Sequence, residues 1–157
     1  MAQRPKIALG SDHAGFSLKE KVRDYLIAQG YGVSDQGTSG LDSVDYPDFA
    51  EKVAECVTAR AADFGVLVCG TGLGMAMAAN KVPGIRAATC TDTISAHFAR
   101  AHNDANVLTM GGRVTDEATA RKILDTWLAT PFEGGRHERR VIKILDIDQR
   151  HHTEKKK

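Results

Sequence analysis

Residues 64–81, FGVLVCGTGLGMAMAANK, constrain the fold more than any other stretch of the chain. Val66, Leu67 and Val68 form a short apolar run that stops at Cys69-Gly70-Thr71-Gly72-Leu73-Gly74. Small and apolar residues follow at 75–79, and Asn80, Lys81, Pro83 and Gly84 end them. The pattern predicts a buried strand, a tight glycine turn and a helix that begins inside the turn.

Glycines let a backbone approach a ligand closely, and a helix start offers unpaired N–H groups and a positive dipole end. Negative charge is therefore favoured at 70–74. Three familiar uses of such a turn fail here. A G-x-G-x-x-G dinucleotide fingerprint counted from Gly70 would need its third glycine at Met75. No Gly-Lys-Ser/Thr follows for a nucleotide P-loop. A cysteine phosphatase would need an arginine where Met75 stands. What remains is an anion-stabilising turn beside the thiol of Cys69, or a strand-to-helix connection with a core cysteine.

The rest of the chain alternates in the same way. Strands are predicted over 6–10, 31–34, 86–90 and 105–110, besides the one that ends at Cys69. Leu18, Val22, Tyr25 and Leu26 recur at helical spacing, as do Phe49, Val53, Cys56 and Val57, which puts Cys56 in the core. A helix from about Asp92 is expected to carry Ile94, Phe98 and Ala101 inward, with His97 near that face. Thr115 is expected to cap the next helix, which buries Ala120, Ile123, Leu124, Trp127 and Leu128. A last helix from about Arg136 to Gln149 has Val141, Ile144, Leu145 and Asp148 on one side. That side needs a partner, either a second subunit or the chain's own domain.

Alternation of this kind predicts a parallel sheet with helices on both faces. Ligands in such sheets bind at the C-terminal rim of the strands. Asp12-His13, Cys69-Gly70 and Gly111-Gly112-Arg113 all follow strands. His102 lies just before the fifth strand and is expected at the same rim only if the preceding helix runs back from it. At 157 residues the chain suits a single domain over 1–150, with a polar tail at 151–157. A net charge of +1 provides no general field for nucleic acid or an acidic membrane. No apolar run is long enough to span a bilayer, and no secretory leader is evident. Three cysteines without framework spacing fit a reduced, cytoplasmic setting. The histidines show no tight metal-ligand spacing.

Taken in order, seven motifs resemble the ribose-5-phosphate isomerase B family, which includes the galactose-6-phosphate isomerase subunits. They are GSDHAG at 10–15, DYPDFA at 45–50, CGTGLG at 69–74, ANKVPGIRAA at 79–88, HNDANVL at 102–108, GGRV at 111–114 and EGGRHERR at 133–140. The resemblance implies a Rossmann-like three-layer sandwich with a five-stranded parallel sheet and a C-terminal helix. It implies a homodimer or dimer of dimers with the active site at the subunit interface, and no cofactor or metal. The implied reaction interconverts ribose 5-phosphate and ribulose 5-phosphate through a cis-enediolate, in the non-oxidative branch of the pentose phosphate pathway.

Roles follow from the same resemblance. Cys69 matches the base of the family's cysteine branch, since its helix carries Met75 and Met77 and no glutamate. Asp12 matches the residue that moves protons between the two oxygens, and Thr71 with His102 matches the ring-opening pair. The amides across Gly70, Gly72, Leu73 and Gly74 would stabilise the enediolate. His13, Arg113, Arg136 and Arg140 match phosphate ligands, the last two reaching a neighbouring subunit's site. Tyr46 and Asn103 match substrate-lining positions. Two alternatives stay open: a nucleotide-binding regulatory module on the same fold, and a sibling isomerase acting on galactose 6-phosphate or allose 6-phosphate.

Overall fold

The computed structural model describes residues 3–153. Five parallel strands form the sheet: β1 (Lys6–Ser11), β2 (Gly32–Asp35), β3 (Phe64–Cys69), β4 (Ala87–Thr89) and β5 (Val107–Gly111). Their spatial order is β2-β1-β3-β5-β4. The connecting helices are α1 (Phe16–Ala28), α2 (Tyr46–Thr58), α3 (Leu73–Ala79), α4 (Thr93–Ala101) and α5 (Glu117–Ala129), and α6 (Arg136–Thr153) ends the chain.

Side chains alternate across the strands, so each strand contributes to two cores. On one face Ile7, Leu9, Val66, Val68, Leu108 and Met110 meet Leu18, Val22 and Leu26 of α1, Ala96 and Ala99 of α4, and Ile123, Leu124 and Trp127 of α5. On the other, Ala8, Leu67 and Val107 meet Ala50, Val53, Ala54 and Val57 of α2 and Met75 and Ala79 of α3. The expected three layers are therefore present. Burying a leucine or isoleucine of this kind is worth roughly 1.5–3 kcal/mol.

Strand order decides where a site can form. The chain leaves β1 to one side for β2 and returns to its other side for β3, so the switch in order lies between β1 and β3. β3 is central, and the turns after β1 and β5 flank the turn that follows it. These turns interlock closely. A Cβ added to Gly15 would lie 2.2 Å from the Val68 carbonyl oxygen, and one added to Gly112 would lie 2.8 Å from that of Ala14.

Several local expectations are corrected. α4 turns Ile94, Phe98 and His97 outward; Ala101 is buried as expected, and Ala96, Ala99 and Arg100 are buried with it. Small residues let this helix approach the sheet, while the Arg100 guanidinium stacks over Phe64 and Trp127 at 4.8 and 5.2 Å. Cys56 is half-buried at the margin of its core. The cap of α5 is Asp116, whose carboxylate accepts the Thr119 N–H at 2.7 Å, one residue beyond Thr115. α6 runs through Thr153 rather than ending at Gln149, so 151–153 of the expected tail are helical, and 154–157 lie outside the described residues. Its Val141 is buried, Leu145 and Asp148 are half-buried, and Asp148 Oδ2 accepts the Gly84 N–H at 2.7 Å. This side of the helix thus packs on its own domain, whereas Ile142, Ile144 and Ile147 stay exposed.

Candidate active site

The turn after β3 is shaped by a sulfur and a left-handed glycine. Gly72 caps α3 at φ +82, and a Cβ there would lie 2.9 Å from the Met110 backbone, so no other residue fits without strain. This conformation aims the Gly72 N–H at Cys69 Sγ, 3.1 Å away. Leu73 N–H donates to Thr71 Oγ1 at 3.3 Å. The N–H groups of Gly70 and Thr71 meet no acceptor among the described residues. Two backbone donors beside a thiol can stabilise negative charge on a bound oxygen.

The neighbouring turns supply the walls. Asp12 is 6% exposed, and its Oδ1 accepts the Gly15 N–H at 2.9 Å. His13 Nδ1 lies 3.2 Å from both the nitrogen and the oxygen of Val44, which ties it to the loop before α2. That loop is itself anchored by the buried Lys19 ammonium, which donates to Asp35 Oδ1 at 2.9 Å and to the Thr38 carbonyl at 2.5 Å. Arg113 N–H donates to the Gly70 carbonyl at 3.0 Å, and its guanidinium lies over Gly70. The Tyr46 ring packs on Gly74, where a Cβ would come within 2.6 Å of it.

Asp12, His13, Ala14, Tyr46, Cys69, Gly70, Thr71, Gly74 and Arg113 together line a cavity of about 420 Å³. Gly72 lies buried beneath it, and Leu73 points outward, 55% exposed. The cavity holds a thiol, a carboxylate and two cationic or potentially cationic groups, enough for proton transfer on an anionic substrate. Of the other cysteines, burial pushes the Cys90 thiol up to about 11, which leaves it protonated at neutral pH.

His102 and Asn103 are not at this rim, a correction to the sequence reading. α4 runs antiparallel to the strands, so its C-terminal cap, His102, lies at the opposite end of the sheet, near the start of β5. Asn103 lines a separate cavity there with Arg86, Ala87 and Ile147. Arg136 and Arg140 sit on the exposed first turns of α6, also outside the Cys69 cavity. The sequence reading missed Glu133 and His137. Glu133 Oε2 lies 3.7 Å from His102 Nε2 and 3.6 Å from His137 Nε2, and the two imidazoles stack at 4.0 Å and 9°. The four-residue step from Glu133 to His137 was the available signal. Burial, then the neighbouring His102 and Arg136, lower the His137 pKa.

A parallel α/β sheet with a cysteine–glycine turn and anion-binding groups at its switch point defines a domain for chemistry on small anionic substrates. Residues 7–144 match the Ribose/Galactose Isomerase family, and the chain belongs to that family. It is 47% identical over 145 residues to ribose-5-phosphate isomerase B of Escherichia coli (strain K12), covering 92% of this chain and 97% of that one. Its fold matches ribose-5-phosphate isomerase B of Clostridium thermocellum with a TM-score of 0.92 at 53% identity, over 93% of this chain and 99% of that one. The corresponding values for ribose-5-phosphate isomerase B of Mycoplasma genitalium with bound ribulose-5-phosphate are 0.89 and 42%, over 92% and 96%.

Proposed function

We propose that the chain interconverts D-ribose 5-phosphate and D-ribulose 5-phosphate through a cis-enediolate, with Cys69 as the base that moves the proton between C2 and C1. One observation carries this reading: the Cys69 thiol shares a single cavity with uncommitted backbone donors, the Asp12 carboxylate, His13 and Arg113. The amides of Gly70 and Thr71 would stabilise the enediolate oxygens. Asp12 would shuttle the proton between those oxygens, and His13 and Arg113 would hold the phosphate. The E. coli and C. thermocellum relatives bear the name of this activity, and the M. genitalium structure contains its product.

Ring opening is assigned to His102 with Thr71. Since the two lie at opposite rims of one chain, His102 would come from a second copy of the chain. The same holds for Arg136 and Arg140 as further phosphate ligands. Support for a dimer comes from apolar side chains left exposed near these elements: Met77 and Ile94 at 68%, Val114 at 63%, Leu73 at 55% and Phe98 at 45%. The cysteines are free thiols, and no described helix is long and apolar enough to cross a membrane, which supports a cytoplasmic setting.

The test is proton exchange. Purified protein with added chelator, given ribose 5-phosphate in D2O, should form ribulose 5-phosphate carrying deuterium at C1 and return deuterium to C2 of the recovered ribose 5-phosphate. Binding of ATP or AMP without any turnover would point to a regulatory module instead. Faster turnover of galactose 6-phosphate would point to the six-carbon sibling.

A further inference from the structure

The group formed by His102, Glu133 and His137 lies away from Cys69, on the rim opposite to it. Its ligand atoms fall within 4.8 Å of one another, a spacing that invites a metal reading. The ring geometry argues against one. The imidazoles are nearly parallel, 9° apart, so their in-plane lone pairs run alongside each other and do not converge on one ion. The same arrangement suits a different task. Glu133 Oε2 faces the Nε2 edge of both rings, the His137 ring covers one face of His102, and Phe98 contacts it at 4.6 Å.

We propose that Glu133 is a positioning residue for His102: its carboxylate keeps the His102 proton on Nε2, and the stacked His137 ring fixes the imidazole plane, so that Nδ1 is the nitrogen presented to substrate. The proposal rests on the ring-opening role given to His102 above. The physical basis is that the tautomer of a neutral imidazole follows what its other nitrogen faces. A carboxylate 3.7 Å from Nε2 favours a proton there over a lone pair. The His137 ring is biased towards its neutral form, because burial, then His102, Arg136 and Arg140, disfavour its cation while Glu133 opposes them. With Nδ1 unprotonated, His102 can take the proton from the anomeric hydroxyl while the ring C–O bond breaks. The ring oxygen gains a proton from solvent or a neighbouring donor, and the open aldehyde results with no net change in protons.

Glu133 is 52% exposed, so Glu133→Gln should fold normally and keep the shape of the side chain without its charge. Two readouts test the role. Long-range nitrogen–proton NMR, above the titration range of the ring, should find Nε2–H for His102 in the wild type and a mixture of tautomers in Glu133→Gln. Kinetically, kcat on cyclic ribose 5-phosphate should fall about tenfold or more, with KM little changed. Proton exchange at C1 of ribulose 5-phosphate, which cannot close a furanose, should stay near wild type. An Nδ1–H tautomer in the wild type, or equal kinetic losses in both assays, would overturn the proposal. Activity removed by chelator and restored by Zn2+ would also overturn it, since the three side chains would then be metal ligands. The tautomer is read without turnover, so a protein that isomerises nothing would sink the proposed function and leave this measurement intact.

Discussion

Cys69 Sγ accepts the Gly72 N–H at 3.1 Å, across a turn whose Gly70 and Thr71 amides meet no acceptor among the described residues. The sulfur therefore sits beside a backbone donor, where substrate oxygens would be held alongside it. Cys69→Ala should fold normally and lose about 10²–10⁴ in isomerisation rate, as removal of a general base typically does. A steady-state assay on the purified variant checks this, and near-normal turnover would remove Cys69 from the chemistry.

His102→Ala should be far worse on cyclic ribose 5-phosphate than in proton exchange on ribulose 5-phosphate. Ring opening precedes transfer at carbon and is separable from it. Parallel assays on the two substrates measure the ratio, and equal losses would give His102 another task.

The interlocked turns should respond to single methyl groups. In Gly15→Ala the new Cβ would meet the Val68 carbonyl oxygen at 2.2 Å, and backbone cannot move aside as a flexible side chain does. Urea unfolding should show a loss of about 3 kcal/mol or more. Gly40→Ala meets nothing within 4 Å and should stay within about 0.5 kcal/mol of wild type.

Cys90 yields a pH prediction with a definite sign. Burial raises its thiol from 9.0 to about 11, so the folded chain holds this proton more tightly than the unfolded chain does. The stabilisation is complete below the unfolded pKa and is lost as pH rises through the folded one. Between about pH 9 and 11 this group should lower stability by at most about 1.4 kcal/mol per pH unit. Unfolding of wild type and Cys90→Ala across that range should differ by this slope. Superimposable pH profiles would contradict it.

Much of this was readable because the relevant signals are local. The apolar run at 66–68 and the glycines after it placed β3, its turn and α3. The turns after β1 and β5 followed from alternation and from the rule that parallel strands share a C-terminal rim. The inward face of α4 was not readable by hydrophobic period. Alanines at 96 and 99 pack against the sheet because a close approach needs small residues, and Arg100 is buried by stacking on aromatic rings. Ile94 and Phe98 were left for something outside the chain's own core. The rim of His102 was misjudged because the direction of α4 outweighs proximity to a strand in sequence. Glu133 joins His102 only through tertiary packing, from the Glu133 N–H to the Ala101 carbonyl at 3.0 Å, which no spacing rule reports.

On the proposed reading one chain carries two halves of different sites: the Cys69 cavity at one rim, and His102, Arg136 and Arg140 at the other. Subunit mixing tests it directly. Cys69→Ala and Arg136→Ala/Arg140→Ala, each expected to be inactive alone, are combined under conditions that exchange subunits, and exchange is verified by mass. If sites are shared, a mixed dimer contains one site with both defects and one with neither, so activity should return to about half that of a wild-type dimer for each mixed dimer formed. If the arginines serve their own chain, every site keeps a defect, and verified exchange with no recovered activity would contradict the account.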